Sequence, residues 1–241
     1  MDSVGSNTIT KGIILAGGFG TRLQSVVSDK PKSLAEVSGR PFIEYQLEWL
    51  MQQGIRDVTL AVHHMASQLQ TFTEQWSNEK LRLHTVYEQD PLGTGGALVN
   101  VIQQRKMIGK VLVINGDTLF KFSLKPAVEL SQSNVEPVIL IASEIQDVSR
   151  FGTITMKDIY VNSFHQATGE HKSGIVNSGA YIVDSDFFMK KEIHPFSLEH
   201  DLFPKLAYKR KLLAYVVDST EGFFDIGTPD SYREICKNSR C

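Results

Sequence analysis

The chain of 241 residues has only two cysteines, Cys236 and Cys241, both within its last six positions. They cannot staple the fold with a disulfide framework, and the absence of a Cys-x-x-Cys pair excludes the usual zinc spacing. A reducing, cytoplasmic setting is the expectation. No apolar run approaches the ~18–20 residues of a membrane span, so no membrane partner is expected. The stretch Met1–Thr8 is polar, carries no apolar signal region and reads as a flexible tail. Excess positive charge is lacking too: 25 Lys+Arg stand against 27 Asp+Glu, a net charge of −2. General nucleic-acid binders are usually basic, so no nucleic-acid partner is expected. A local cationic site for a phosphorylated small molecule remains allowed. Internal repeats and Pro/Gly/Ser-rich linkers are absent, which makes residues 9–241 one domain. What is present is ordinary for a globular protein, with 41% hydrophobic and 22% charged residues, so disorder and fibrous architecture are out.

Gly12-Ile13-Ile14-Leu15-Ala16 is a continuous apolar run ending in glycines, the pattern of a buried parallel strand. Phe42, Ile43, Leu47, Leu50 and Met51 share a helical face, with Gly54 as the stop. Val58 to Val62 reads as a second buried strand, and Met65, Leu69, Phe72 and Trp76 as a second helix. Leu81 to Glu88 predicts a strand, Gly93-Thr94-Gly95-Gly96 a glycine-rich turn, and Leu98, Val101 and Ile102 a helix after it. Val111 to Ile114 predicts another buried strand, running into Asn115-Gly116-Asp117. Extended segments follow at Val138–Ala142, Gly152–Met156, Ile175–Val183 and Leu212–Val217. Ser197 can cap a helix running to about Ala207, and Thr228-Pro229-Asp230 is a helix start. Strand–helix alternation predicts an α/β fold: a Rossmann-like, mainly parallel or mixed sheet flanked by helices. A nucleotide-binding half over about 9–120 would precede a sugar-phosphate-binding half over about 121–241.

Directly after the first strand comes Leu15-Ala16-Gly17-Gly18-Phe19-Gly20-Thr21-Arg22-Leu23. Glycines there let the backbone approach a ligand and turn its N–H groups toward phosphate oxygens. It is not a P-loop, since no Gly-Lys-Ser/Thr follows, and it lacks the third glycine of the dinucleotide fingerprint. A turn that binds nothing is the bland alternative. Arg22 inside the loop and Lys32 ten residues on weigh against it, because a triphosphate needs cations. Lys30 reads as a surface residue.

Leu-Ala-Gly-Gly-x-Gly-Thr-Arg-Leu followed by Pro31-Lys32-Ser33-Leu34 resembles the signature of the sugar-1-phosphate nucleotidylyltransferases. The resemblance covers nearly the whole chain. Its later landmarks are Pro91-Leu92-Gly93-Thr94-Gly95-Gly96-Ala97, Asn115-Gly116-Asp117, Phe151-Gly152, Asn177-Ser178-Gly179 and Phe224-Asp225-Ile226-Gly227-Thr228-Pro229. Within that family, the Glu88-x-x-Pro-Leu-Gly-Thr-Gly-Gly-Ala pattern is most similar to the D-glycero-D-manno-heptose 1-phosphate guanylyltransferases. The resemblance implies a nucleotidyltransferase (GT-A-like) fold, and the short chain leaves no room for the β-helix domain that some relatives append.

Asp117 follows a buried strand, where an open α/β sheet places its ligands. A carboxylate there suits Mg²⁺, which takes oxygen ligands and keeps substrate phosphates in its shell. Asp225 stands in an apolar run, and a capping or turn role is the alternative for either aspartate. The resemblance implies that Asp117 and Asp225 together hold the catalytic metal and that Arg22 and Lys32 are the catalytic cations. It further implies nucleotide contacts from Leu15, Ala16, Gly17, Gly18, Gly20, Thr21, Arg22, Lys32, Glu88, Pro91, Gly93, Thr94 and Asp117. Asp218 and Asp230 are given turn and helix-start duties.

Glu88 is the residue expected to select the base. Guanine offers two adjacent donors to a carboxylate, whereas uracil offers one donor between two acceptors. A solvated strand-end glutamate is one alternative, and base reading by backbone groups of the Leu15–Gly18 loop is another. On the acceptor side, Asn115, Gly116, Gly152, Asn177 and Gly179 match the family's sugar-contacting segments. The Glu-Lys pair that relatives often carry is missing at Ser163-Phe164-His165-Gln166-Ala167, and Lys172 is the substitute expected to meet the phosphate. The seven histidines form no metal set; His63-His64 follow a strand, while His165 and His171 fall in a predicted loop.

The implied reaction joins a sugar 1-phosphate, D-glycero-D-manno-heptose 1-phosphate first, to the NMP of an NTP, GTP first, with release of pyrophosphate. Such a product feeds surface-glycan synthesis. Mannose 1-phosphate with GTP, or uridylyl or cytidylyl transfer, is the alternative within the same chemistry. From other classes, a nucleotide-sugar sensor is opposed by the retained Arg22, Lys32, Asp117 and Asp225. A glycosyltransferase is opposed by Asp117-Thr118-Leu119, which lacks a second aspartate. Homo-oligomerisation is compatible with the sequence and is not read from it.

Overall fold

The apolar runs become the centre of a nine-stranded sheet because each is buried on both faces. In the computed structural model, which describes residues 8–217 and 222–238, β1 (Lys11–Leu15) leads to two short strands, β2 (Glu36–Val37) and β3 (Arg40–Pro41). Then come α1 (Phe42–Gln52), β4 (Asp57–Val62), α2 (Ala66–Gln75), β5 (Arg82–Tyr87), α3 (Gly93–Gln104) and β6 (Lys110–Asn115). β7 (Thr118–Phe120), α4 (Lys125–Gln132), β8 (Val138–Ile145), β9 (Thr153–Lys157), β10 (Tyr160–His165) and β11 (Gly174–Asp184) follow. The chain continues through α5 (Ser185–Met189), α6 (Phe203–Tyr208), β12 (Leu212–Val217), β13 (Phe223–Asp225) and α7 (Pro229–Asn238). Asp218, Cys241 and residues 1–7 of the expected tail lie outside the described residues.

The strand order is β5-β4-β1-β6-β11-β8-β12-β10-β9. β5, β4, β1 and β6 run parallel, while β11 is antiparallel to β6 and β8, so the sheet is mixed as expected. Side chains alternate across it. Ile13, Val111 and Val113 join Leu98, Ile102, Phe188 and Phe203 on one face. Ile14, Leu112 and Ile114 join Ile43, Leu47, Leu50 and Ala127 on the other. Period-two alternation is what sends successive residues of one strand into two cores. Each fully buried leucine or isoleucine stabilises the fold by about 1.5–3 kcal/mol.

α1 ends as its sequence predicts. Gly54 takes φ 89°, and the Ile55 N–H returns to the Leu50 carbonyl at 3.0 Å. Ser197 likewise accepts a hydrogen bond from the His200 N–H at 3.1 Å, capping the helical turn before α6.

Two expectations need correction. Gly93–Gly96 is not a turn ahead of a helix but the first turn of α3 itself. Glycine disfavours an isolated helix by about 1 kcal/mol, so local reasoning points the other way. Tertiary packing overrides it. A Cβ on Gly95 would lie 2.1 Å from the Phe196 ring, and one on Gly96 2.4 Å from the His194 carbonyl oxygen. The glycines admit the chain segment His194–Phe196, and the Gly95 N–H donates to the Phe196 carbonyl at 2.9 Å. Second, His165 belongs to strand β10, paired with Thr153 of β9, and not to a loop.

No helix among the described residues is long and apolar enough to cross a membrane.

Candidate active site

β1 and β6 are adjacent and parallel, with Leu15 opposite Asn115. The chain leaves β1 toward β4 and β5 on one side and returns through β6 on the other. Their carboxyl ends therefore open a crevice at a reversal of strand order, the place where open α/β sheets bind ligands. Leu15–Gly20 and Asn115–Asp117 emerge there together. Gly116 makes that possible: its N–H donates to the Leu15 carbonyl at 3.0 Å, and a Cβ would sit 2.7 Å from the same oxygen.

A cavity of about 350 Å³ fills the crevice. Its walls include Leu15, Ala16, Gly17, Gly18, Gly20, Lys32, Glu88, Pro91, Gly93, Thr94, Asn115, Gly116 and Asp117, all anticipated from the sequence, together with Phe19, Ser33 and Ala97, which were not. Gly18 is informative. Its φ is not in the left-handed region, and a Cβ would have nothing within 4 Å. Neither backbone strain nor protein packing calls for glycine there, and its bare backbone leaves that stretch of the cavity wall open.

Glu88 lines the cavity. It is 4% exposed, which removes the solvated strand-end alternative. Its Oε2 accepts the Leu92 N–H at 3.1 Å, and a Cβ on Gly17 would lie 3.1 Å from Oε1. Burial raises the carboxyl pKa above its ordinary value, with the Leu92 N–H and nearby His63 opposing that shift.

Lys32 and Asp117, both in the cavity wall, meet Nζ to Oδ2 at 2.7 Å. Asp225 belongs to the same cluster. Its strand β13 pairs with β7 in a two-stranded ribbon, and the Ile226 N–H donates to the Asp117 carbonyl at 2.8 Å. A Cβ placed on Gly227 would lie 2.7 Å from Asp225 Oδ1, 3.7 Å from Asp117 Oδ2 and 3.7 Å from Lys32 Nζ. A small third core of Leu23, Ala35, Phe42, Leu119, Ile226 and Ile235 locks the Lys32 segment, the ribbon and α7 together.

Other anticipated residues stand apart from the cavity walls. Thr21 and Arg22 are exposed on the turn beyond Gly20, and Arg22 has no hydrogen-bond or ion-pair partner among the described residues. Lys172 bonds Glu170 at 2.6 Å on an exposed loop. A Cβ on Gly152 would lie 2.9 Å from the His165 carbonyl oxygen, so β10 is its close neighbour. Asn177 accepts the Gly179 N–H at 2.9 Å, where the β11–β8 register shifts. Gly179, at φ 79°, sits against the side chain of Asn115.

Two residues that the sequence reading passed over hold this framework. Gln46 is fully buried on α1, and its Nε2 donates to the carbonyls of Asn115 at 2.8 Å and Thr118 at 2.7 Å, clamping the loop that carries Asp117. The detectable signal was a glutamine on the apolar face shared by Phe42, Ile43, Leu47 and Leu50. Glu199 accepts from Thr94 Oγ1 at 2.7 Å, Ser197 Oγ at 3.0 Å and Tyr181 Oη at 3.0 Å. Tyr181 in turn accepts from Asn177 Nδ2 at 3.0 Å. Burial, and then the Glu199 charge, push the Tyr181 hydroxyl well above its usual pKa, so it stays a donor. The network ties the start of α3 to β11. Nothing in local spacing reveals it.

Comparison with known proteins follows the same lines. The family model described as nucleotidyl transferase matches residues 11–240. The D-glycero-alpha-D-manno-heptose 1-phosphate guanylyltransferase of Aneurinibacillus thermoaerophilus is 34% identical over 226 residues, covering 93% of this chain and 96% of the relative. The enzyme of the same name from Campylobacter jejuni is 34% identical over 232 residues, covering 94% and 99%. The crystal structure of HddC from Yersinia pseudotuberculosis complexed with GMP-PN superposes with a TM-score of 0.84 at 32% identity, covering 95% of this chain and 99% of that one. A glycine-lined crevice at the strand ends, a match over almost the full length and relatives of nearly equal size give one answer: the chain belongs to the nucleotidyl transferase family.

Proposed function

We propose that the protein is a sugar-1-phosphate guanylyltransferase that joins D-glycero-alpha-D-manno-heptose 1-phosphate to the GMP unit of GTP and releases pyrophosphate. The observation that carries this reading is the convergence of Lys32, Asp117 and Asp225 around Gly227, beside a cavity that Lys32, Asp117 and buried Glu88 line. The names of the near-full-length relatives support the choice of base and sugar.

A phosphate oxygen of the sugar 1-phosphate attacks the α-phosphorus of the nucleotide, the new P–O bond forms, and the bond to pyrophosphate breaks. The attacking oxygen is already anionic, so the site needs no general base. Its tasks are to bring two anions together and to offset charge on the α-phosphate and the leaving group. Lys32, Arg22 and the N–H groups of Gly17–Gly20 serve the triphosphate. Glu88 accepts from the guanine edge. Residues 9–120 supply most of the nucleotide contacts and the later half most of the acceptor contacts, through Asn177 and Gly179 beside Asn115.

Nucleotidyltransferases of this kind generally use a divalent metal, and the residues fit Mg²⁺. Among the described residues no cluster of three or more His, Cys, Asp or Glu exists. Mg²⁺ typically needs only one or two carboxylates, with phosphates and water completing its shell. Asp117 and Asp225 would hold it, and the ion would neutralise phosphate charge. Cytoplasmic residence belongs to the same reading, supported by a sequence with only two cysteines.

The test is a matrix of the four nucleoside triphosphates against heptose, mannose and glucose 1-phosphates, scored by pyrophosphate release. GTP with the heptose 1-phosphate should give the highest kcat/KM. A faster reaction with mannose 1-phosphate, or with UTP or CTP, would reassign the substrate. No pyrophosphate from any pair would remove the enzyme reading.

A further inference from the structure

The reaction needs cations for two polyanions. Lys32 sits on the Asp117 side, and Lys172, the cation expected for the acceptor, is bonded to Glu170 on an exposed loop. A different cation flanks the other carboxylate. Arg150, just ahead of the Phe151-Gly152 turn, places Nη2 3.9 Å from Asp225 Oδ2 and donates from the same nitrogen to Thr228 Oγ1 at 3.1 Å.

We propose that Arg150 is the residue that receives the phosphate of the incoming sugar 1-phosphate, a role that rests on the transferase reading above. Three observations carry it. The first is place: Asp225 shares the space around Gly227 with Asp117 and Lys32, so an anion held by Arg150 at Asp225 lies at the edge of the cluster where the α-phosphate must be attacked. The second is spare capacity. A guanidinium has five N–H donors in a planar fork that matches phosphate geometry. Thr228 takes one of them, and Nε and Nη1 have no partner among the described residues. The separation from Asp225 is too long for a hydrogen bond, so that pair orients the head without consuming its donors. The third is preorganisation combined with access. The guanidinium lies 5.6 Å from the centroid of the Phe151 ring. That ring packs edge-on against Phe223, on the strand that carries Asp225. The Arg150 side chain is nevertheless 49% exposed, open to an arriving ligand.

A tether role alone makes a different demand. An ion pair this exposed contributes little to folding, so removing it should leave stability nearly unchanged. The experiment uses the full chain and the variants Arg150→Ala and Arg150→Lys. Calorimetry would titrate heptose 1-phosphate into protein preloaded with Mg²⁺ and a GTP analogue whose α–β bridge cannot be cleaved. Steady-state pyrophosphate release would give KM for each substrate. Arg150→Ala should weaken sugar 1-phosphate binding on the order of 10-fold or more, as expected for a lost charge-assisted pair. Its KM for GTP and its melting temperature should stay near wild type. Arg150→Lys should recover part of the binding, because it keeps the charge and loses the fork.

Equal sugar 1-phosphate binding by wild type and Arg150→Ala would overturn the proposal, as would no binding by wild type. A joint shift of both KM values with the melting temperature would assign Arg150 to scaffolding instead. If Arg150→Ala does not fold, Arg150→Lys and Arg150→Gln decide by the same comparison. Arg150-dependent binding without any pyrophosphate release would refute the transferase reading and leave this assignment standing.

Discussion

Replacing Glu88 by glutamine should separate base selection from folding. The substitution keeps shape and keeps an oxygen to accept the Leu92 N–H that now meets Oε2 at 3.1 Å. It removes the charge and exchanges one acceptor for a donor. Guanine presents N1–H and its amine side by side, so a carboxylate pairs with both while an amide can serve only one. A good bidentate base contact discriminates by about 1–3 kcal/mol, roughly 5–150-fold in relative rate. The GTP preference over UTP in kcat/KM should fall by a factor in that range. Stability should move the other way. The carboxyl of Glu88 is raised from the ordinary 4.5 by burial, so the native state holds this proton to higher pH than the unfolded chain does. Its stabilising contribution is full below the unfolded value and is lost as pH rises through the raised folded value. Glutamine has no such loss, so above about pH 4.5 the variant should match or exceed wild type in melting temperature. The assay is direct competition of GTP and UTP, paired with thermal melts from pH 4 to 8. An unchanged GTP:UTP ratio would refute the base-selecting role. A variant that melts earlier than wild type at neutral pH would refute the account of Glu88 as a buried, desolvated acid.

Asp117→Asn and Asp225→Asn should each lower kcat on the order of 100-fold or more with the fold intact, because an amide is a weak Mg²⁺ ligand; near-normal turnover in both, with excess EDTA harmless, rules out the metal assignment. Gln46→Leu leaves the Asn115 and Thr118 carbonyls without their donor, a loss of about 1–3 kcal/mol for each buried group; urea unfolding should show it, and the Mg²⁺ concentration for half-maximal activity should rise as the Asp117 loop loosens. Gly95→Ala puts a methyl 2.1 Å from the Phe196 ring, and overpacking of this kind costs about 1–3 kcal/mol. Adding Phe196→Ala should recover part of that in a double-mutant cycle, and strict additivity would mean the contact is unimportant. Arg22→Ala should lower kcat/KM for GTP while the melting temperature holds, since an exposed cation contributes little to folding; early unfolding with unchanged specific activity would show a structural residue instead.

Sequence alone determined the parts of this protein that depend on neighbours in the chain. The strands β1, β4 and β6 are apolar runs, β1 with a glycine exit and β6 with an Asn-Gly-Asp exit, and α1 is a 3.6-residue stripe with a glycine stop, so each is legible within a dozen residues. The Leu15–Leu23 loop and Asp117 follow strand ends that themselves could be read, and Lys32 stood out as a second cation near that loop. The tertiary structure decided whatever depends on contacts across the chain. Gly93–Gly96 is helix because His194–Phe196 packs against it, about a hundred residues away. The ribbon of β7 and β13 is too short to show a period, yet it brings Asp225 to Asp117. Gln46, Glu199 and Arg150 look like unremarkable polar residues until the fold sets them against the Asp117 loop, Thr94 with Tyr181, and Asp225. Lys172, singled out as a cation for the acceptor, bonds Glu170 on an exposed loop. Periodicity reports which face of an element is buried; which polar partner waits on that face is settled only when distant segments are brought together.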